Sequence, residues 1–351
     1  QNWGVGVTGD QCPDRWEADN KSAKLFVDEA WIELADVFGL PLDARIGRQT
    51  LVCGSGFVLF DGQSQLASTA NYLDGARLTL QVTRGLTAEF LYFKDQENAR
   101  ADGAGDDLTL TGLYLTHRPG GDTSHELYAL RRDDQFIGKD VRLYGARLAG
   151  GFGGTFDYDF EGGLQRGELA PGVTHEAWGC SAELGFAPPG APAGARIFGA
   201  FVGLSGDDPA TVDTGERWDV FYGGWPRYGD LLAWVYLNLG PGNAMSGYDP
   251  AYADASSVIG EVVYGNLVMP TIGLDLKPTA RLNTRVSYAR LTAHQTTGAD
   301  DIGDYYQLRA RYQYTDGVTL GLYAALLDPG AAYGPDADPA HEVFWETVLS
   351  F

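Results

Sequence analysis

The chain has 351 residues, of which 44% are hydrophobic and 21% charged, and its formal net charge is −22. This composition excludes a disordered chain, and no apolar run approaches the roughly 20 residues that a membrane-spanning helix needs. The acidic balance argues against nucleic acid as a partner, because phosphate binding requires a basic face.

Apolar and polar residues alternate with a period of two along the whole chain, which is typical of strands with two different faces. In 155–161, for example, Phe156 and Phe160 alternate with Asp157 and Asp159. The pattern predicts about sixteen strands in a single all-β domain covering 1–351. Pro270 makes the strand predicted at 258–276 irregular, because it removes a ladder donor. The predicted strands are 2–9, 22–35, 42–49, 75–84, 86–94, 107–117, 124–132, 140–149, 153–162, 174–186, 195–205, 258–276, 280–291, 304–314, 317–327 and 341–351.

The predicted connections alternate between short and long, and the long ones carry much of the acid. The long connections are predicted at 10–21, 50–74, 95–106, 133–139, 163–173, 206–257, 292–303 and 328–340. Outer-membrane barrels have short turns at the periplasmic end and long loops outside. The sequence therefore predicts a transmembrane antiparallel β-barrel in a bacterial outer membrane, surrounded by lipid and lipopolysaccharide.

The last predicted strand places Val343, Trp345 and Leu349 on one face and ends on an aromatic residue, Phe351. Such an ending is similar to the terminal strand that the bacterial barrel-assembly machinery recognises. We therefore expect that machinery to be a partner through this strand.

Two segments resemble the alginate-export family of outer-membrane porins. The first is the Gly-Arg-Gln stretch within 44–51, which follows the acidic-aromatic segment 28–34 and precedes Asp74-Gly75. The second is Asp328-Pro-Gly, leading into the last strand. The resemblance implies a passive channel for polar, anionic or sugar-like solutes. Members of the family are described as having about eighteen strands, so this chain is either a variant with fewer strands or lacks two N-terminal ones. The penultimate strand, 319–324, carries no arginine here, which departs from the best-known member and argues against alginate itself as cargo.

Many arginines fall on predicted strands, where charge facing lipid costs about 2–4 kcal/mol at the bilayer midplane. We therefore expect them to face the lumen, either as a ladder for anionic solutes or as braces paired with lumenal acids. Both alternatives remain open at this stage. The predicted pore-lining residues are Arg48, Arg77, Arg281, Arg285, Arg309, Arg311, Glu29, Glu33, Asp157 and Asp159; further strand arginines given the same orientation are Arg45, Arg84, Arg131, Arg142 and Arg147.

No nucleophile, metal-ligand spacing or cofactor motif is recognisable in the sequence, so no enzyme activity, metal site or cofactor is expected. The segment 206–257 is rich in aromatic residues and either narrows the pore or, in a structural barrel of a different class, docks a surface protein or polysaccharide. Its proposed contact residues are Trp218, Tyr222, Trp225 and Trp234. Cys12 and Cys53 fall in neighbouring long loops and form a possible disulfide.

Overall fold

The computed structural model describes residues 29–60, 73–95, 108–134, 138–219, 221–222, 231–232 and 265–350. Within these ranges no helix combines the length and the apolar character needed to cross a bilayer. Helical structure there is limited to single turns such as Val37–Gly39 and Pro192–Gly194.

Most of the described chain is β-structure, as the alternating pattern predicts. The strands are β1 (Ala30–Leu34), β2 (Leu42–Gln49), β3 (Leu73–Thr83), β4 (Leu86–Asp95), β5 (Leu108–Gly120), β6 (Thr123–Asp134), β7 (Lys139–Phe152), β8 (Phe156–Ala170), β9 (Val173–Phe186), β10 (Arg196–Leu204), β11 (Thr214–Gly215), β12 (Leu267–Thr279), β13 (Leu282–Thr292), β14 (Asp301–Thr315), β15 (Val318–Pro329) and β16 (Ala340–Leu349).

The strands form one 16-stranded sheet in which consecutive long strands pair in chain order, and every such pair is antiparallel. The two-residue β11 is the exception, because it runs parallel to β9 beyond the point where β10 ends. The predicted all-β antiparallel architecture is thus confirmed. The strand predicted at 2–9 lies outside the described residues.

Alternation gives the sheet an inner face and an outer face of opposite character. On β8, Phe160 and Leu164 are exposed on the outer face, at 43% and 53%. Asp157, Asp159 and Glu161 take the positions between, on the inner face, where their partners are arginines. A surface that is apolar outside and charged inside is what a barrel in lipid requires, since lumen and lipid positions alternate.

One predicted loop is part of a strand in the structure, and the strand around Pro270 is irregular as predicted. Residues 163–170, predicted to be part of a long loop, continue β8, and the turn to β9 contains only residues 171–172. Glycines at 162, 163 and 167 hide the alternation there because they have no side chain to display it. Pro270 lies within β12, where it pairs with Phe201 of β10, while the β12–β13 ladder has no partners between Val268 and Thr271, which is the irregularity expected of a residue that cannot donate a ladder hydrogen bond.

The connections at the two ends of the sheet differ in length. At one end, called here the short-connection end, they span 35–41, 84–85, 121–122, 153–155, 187–195, 280–281 and 316–317. At the other, the long-connection end, they span 50–72, 96–107, 135–138, 171–172, 205–266, 293–300 and 330–339. Most of the longer connections lie at one end, as in an outer-membrane barrel; the exceptions there are the β8–β9 turn and 135–138, which are shorter than 35–41 and 187–195 at the opposite end.

Candidate solute channel

The connection after β10 turns onto the inner face as soon as the strand ends. The carbonyl oxygen of Ser205 accepts hydrogen bonds from the N–H groups of Trp218 (3.0 Å) and Asn266 (2.8 Å), which draws both ends of the connection together. The Ser205 hydroxyl oxygen accepts a further bond from the backbone N–H of Trp178 on β9, at 3.0 Å. These bonds fix Trp218 against the sheet.

Glycines on the inner face make room for Trp218, which is only 1% exposed. Gly145, Gly163 and Gly179 are direct cross-strand neighbours on β7, β8 and β9. A Cβ added at Gly179 would come within 2.6 Å of the Trp218 ring, and one at Gly163 within 3.5 Å. Only glycine at 179 lets the indole lie flat against the wall, which explains a Gly-rich run that weakens the sequence pattern.

The next residue, Asp219, anchors the same connection through charge. Its carboxylate lies 2.7 Å from the Lys139 ammonium and 2.9 Å from the Arg132 guanidinium, and all three side chains are buried. Gln165 contributes twice, because its amide NH₂ donates to the Asp219 carbonyl and its side-chain oxygen accepts from the Asp219 N–H. Although burial opposes ionisation, the two cations hold the pKa of Asp219 well below its usual range.

The connection after β2 packs beside it. Phe57 stacks on Trp218 with ring centroids 5.4 Å apart, and backbone bonds join Phe60 to Tyr222 and Tyr222 to Val58. The Ser55 hydroxyl donates to the Glu161 carboxylate of β8. Together the described parts of the two connections form an apolar core with the inner face.

Below this core lies a first ionic group, the Arg147 cluster, formed by Arg147, Glu126, Asp159 and Glu161. The guanidinium lies 2.7 Å from Glu126, 2.8 Å from Asp159 and 3.9 Å from Glu161. Hydroxyl donors complete the cluster, since Tyr114 donates to Glu126 and Tyr128 donates to Glu161. One arginine therefore faces three carboxylates.

A second group, the Arg196–Arg285 cluster, lies nearer the short-connection end. Arg196 contacts Asp157, Glu183 and Asp275, and Arg285 reaches Asp275 at 2.6 Å and Glu183 at 3.1 Å. The Phe198 ring lies 4.2 Å from the Arg285 guanidinium carbon and 5.6 Å from that of Arg196. The cluster therefore contains two arginines, from β10 and β13, and three carboxylates, from β8, β9 and β12.

Other inner-face arginines have one carboxylate partner each. Arg77 pairs with Glu89 and Arg45 with Glu33, while Arg311 lies 3.6 Å from Glu346 with about half of its side chain exposed, 53%. Arg309 follows the same face, 5.4 Å from the Tyr323 ring. Of the two interpretations of the arginines, bracing accounts for most of these contacts, because nearly every guanidinium has a carboxylate neighbour.

Several predicted lining residues lie elsewhere. Arg48 is two positions from exposed Ile46, so it shares the outer face with it, and it pairs there with Asp74. Arg84 and Arg281 lie in exposed two-residue turns. Glu29 lies outside the strands beside Thr50, whose hydroxyl donates to it at 2.7 Å.

Two arginines correct the wider expectation for strand arginines, since Arg131 and Arg142 face outward. Alternation alone does not say which face is the lumen at a given register. The position of a charge along its strand also matters, because a charge near the end of a strand lies outside the apolar zone and can face outward at low cost.

The long-loop predictions are partly outside the described residues, which include neither Cys12 nor Trp225 and Trp234. Cys53 is buried rather than displayed, and its thiol is free of any disulfide within the described part of the chain. Burial, with nearby carboxylates, raises its pKa to about 12.

Sequence reasoning missed Glu126, Arg196, Asp219 and Asp275 as site residues. Arg196 and Asp275 stand on predicted strands, so the lumenal rule could have found them. No local sequence pattern identifies Asp219, because its partners are distant in the chain: Arg132 on β6 is 87 residues away, and Lys139 is on β7.

A sheet of antiparallel strands that is apolar outside and ion-paired inside, with the described parts of two long connections packed on its inner face, is the architecture of a porin-type channel of the bacterial outer membrane. The alginate-export family model matches residues 10–345, and the chain belongs to that family. No curated protein matches the chain.

Solved structures with a similar fold are porins at low sequence identity. OccK2 (OpdF) of Pseudomonas aeruginosa, in complex with glucuronate, has 13% identity and a TM-score of 0.54, covering 88% of this chain and 78% of its own. OccK11 (OpdR) of the same organism has 14% identity and a TM-score of 0.53, with coverage of 88% and 78%. OccAB1 of Acinetobacter baumannii has 14% and 0.52, with coverage of 88% and 73%.

Proposed function

We propose that this channel, one barrel domain covering the whole chain, conducts small sugar-like solutes, uncharged or carrying a single carboxylate. The observation that carries the proposal is the Arg196–Arg285 cluster. It presents planar guanidinium donors and carboxylate acceptors side by side. A sugar needs this mixture, because its hydroxyl groups both donate and accept hydrogen bonds.

The charge balance argues against long polyanions. Both inner-wall clusters contain more carboxylates than arginines, so a chain of uronates would meet like charge at each in turn. A single carboxylate can still be received by Arg311, whose side chain is half exposed. The glucuronate complex of OccK2, a protein of similar fold, is consistent with a solute of this kind.

The folded-in connections supply the size limit. Trp218 is buried against β9 and Asp219 is anchored to β6 and β7, so this described part of the connection lies on the inner face. We propose that it acts as a constriction, the role that the sequence left open against surface docking. The last strand, whose outer face carries exposed Val343, Trp345 and Leu349, is proposed to engage the assembly machinery.

Single-channel recording in planar bilayers tests the cargo. A hexose, a hexuronate and benzoate are added in turn at equal concentration, so that the last matches the charge of the uronate without its hydroxyl groups. The two sugars should interrupt the ion current, and benzoate should not. Interruption by benzoate alone would contradict the proposal, as would an unrestricted current in the presence of all three.

A variant ties the effect to the cluster. Arg285→Gln should shorten the sugar-induced interruptions, because one donor array is lost while Arg196 and the carboxylates remain. Arg84→Gln removes the same charge from an exposed turn and serves as the matched control. Equal interruption times in both variants would show that the cluster does not contact the solute.

A further inference from the structure

Three arginines form a row on the outer face near the long-connection end. Arg131, Arg142 and Arg166 are direct cross-strand neighbours on β6, β7 and β8, about 5 Å apart from strand to strand. Their positions share the face of exposed Tyr144 and Leu164, so they point toward the surrounding lipid. Charge facing lipid requires an explanation, because it is costly everywhere except near the membrane boundary.

The row lies at that boundary. On β8 the outer face runs from Phe156, stacked with Phe152 and near Phe186, up to Arg166. Ten residue steps at about 3.3 Å, on a strand tilted by 35–45°, rise about 25 Å along the barrel axis. An outer-membrane barrel has an apolar band of about 25 Å with aromatic girdles. If the phenylalanines mark one border, the arginines mark the other, on the side of the long, external connections.

Two of the three arginines are only loosely paired within the protein. Arg131 is held by Asp140 at 2.8 Å and by Asp133 at 3.4 Å. Arg142 keeps only a 3.2 Å contact with the same Asp140 carboxylate, and its side chain is 54% exposed. Arg166 is 50% exposed, with its guanidinium donating to the Gln165 carbonyl and lying 3.9 Å from Glu176.

The acids of the patch occupy defined places. Asp133, Asp140 and Glu168 form the next register row, farther from the apolar band, and Glu176 lies beside Arg166 on β9. An anion reaching the arginines from the lipid side therefore meets Arg142 and Arg166 before the row of three carboxylates.

A shallow, open apolar depression lies directly below the row. Small residues form its floor and large ones its walls, and the outer-face members are Tyr144, Ala146, Gly162, Leu164, Trp178 and Cys180. Tyr144 follows Arg142 by two positions on β7, and Leu164 precedes Arg166 by two on β8, so the walls of the depression are next to the arginines.

We propose that this surface binds a phosphorylated lipid of the outer leaflet, the lipid A moiety of lipopolysaccharide, with a phosphate on Arg142 and Arg166 and an acyl chain in the depression. Guanidinium groups match phosphate oxygens in pairs, and basic sites next to an apolar surface recognise lipid headgroups. The site lies outside the channel and does not depend on the cargo proposed above.

Native mass spectrometry of the detergent-solubilised protein tests the site with three lipids: diphosphorylated lipid A, its dephosphorylated derivative and phosphatidylglycerol. Only the first should bind tightly. The double variant Arg142→Gln/Arg166→Gln should bind it about 25-fold more weakly, and Ala146→Leu should weaken it by obstructing the depression. Arg84→Gln, in a turn at the opposite end, should bind as the unaltered protein does.

Equal binding of the dephosphorylated derivative would overturn the proposal, and so would unchanged binding by the double variant. Equal binding of phosphatidylglycerol would overturn the assignment to the outer leaflet. Displacement of lipid A by millimolar inorganic phosphate would point to a free-anion site instead. Single-channel conductance should be unchanged in every variant, which verifies folding and separates failure here from failure of the cargo proposal. Should the double variant fail to fold, Arg166→Gln alone gives the same comparison.

Discussion

The Trp218 indole lies on the Phe57 ring with the two planes inclined by 19°. The two residues belong to different long connections, one before β3 and one after β10, so this stack joins segments that are far apart in the chain. Hydrogen bonds between Val58, Phe60 and Tyr222 continue the contact. The interior element is therefore a single packed unit built from two connections.

Replacing Trp218 by Ala should loosen this unit. The substitution removes a side chain that is 1% exposed, and Trp→Ala changes in a core cost about 3–5 kcal/mol. We expect a higher and noisier single-channel conductance, with the barrel itself still resistant to detergent. Trp345→Ala is the matched control, since Trp345 is 76% exposed on the outer face of β16. Equal conductance in the two variants would mean that the stack does not limit the channel.

Because of Asp219, the packing of the two connections around Trp218 and Phe57 should be lost only in strong acid. Its pKa lies below the usual value of 3.8 because of Arg132 and Lys139. A depressed carboxylate pKa contributes stability that is complete above the unfolded value and lost as the pH falls through the folded one. We therefore expect the conductance to remain constant from neutral pH to about pH 4, and to rise only below that.

Asp219→Asn should produce the acid behaviour at neutral pH, because it removes the carboxylate that contacts two buried cations, a loss of about 3–5 kcal/mol. Asp316→Asn, in the β14–β15 turn, is the control. A conductance rise in the unaltered protein already near pH 6 would contradict the assignment to Asp219.

The sequence predicts the strands because alternation is local, and it fails where alternation is not visible. Residues 307–314 alternate clearly and lie in β14, whereas the glycines of β8 hid its second half. The lumenal clusters could not be predicted as contacts. Glu183 and Arg285 are 102 residues apart in the sequence, and Ser55 and Glu161 are 106 apart. Such residues come into contact only through the tertiary fold.

The surplus of carboxylates in the Arg196–Arg285 cluster should set the ion preference of the channel. Glu183 contacts both arginines, and Glu183→Gln leaves two arginines facing two carboxylates. We expect the reversal potential in a salt gradient to shift toward anions, with a stability change within about 1 kcal/mol because the pairs are partly exposed. Arg311→Gln should shift it the other way, toward cations. Unchanged potentials in both would show that these charges lie outside the ion path.

Cys53 should be nearly inert to alkylation in the native protein. Its side chain is 6% exposed, and a thiol whose pKa is about 12 supplies roughly a thousandfold less thiolate at pH 8 than an ordinary cysteine. Native protein is alkylated without reduction, unfolded, and alkylated again with a heavier reagent before mass spectrometry of the digest. We expect Cys53 to carry only the second label, and Trp218→Ala to let the first label in by loosening the Phe57 contact. Label incorporated first in the unaltered protein would contradict the burial. A thiol that accepts neither label until it is reduced would instead establish the disulfide with Cys12.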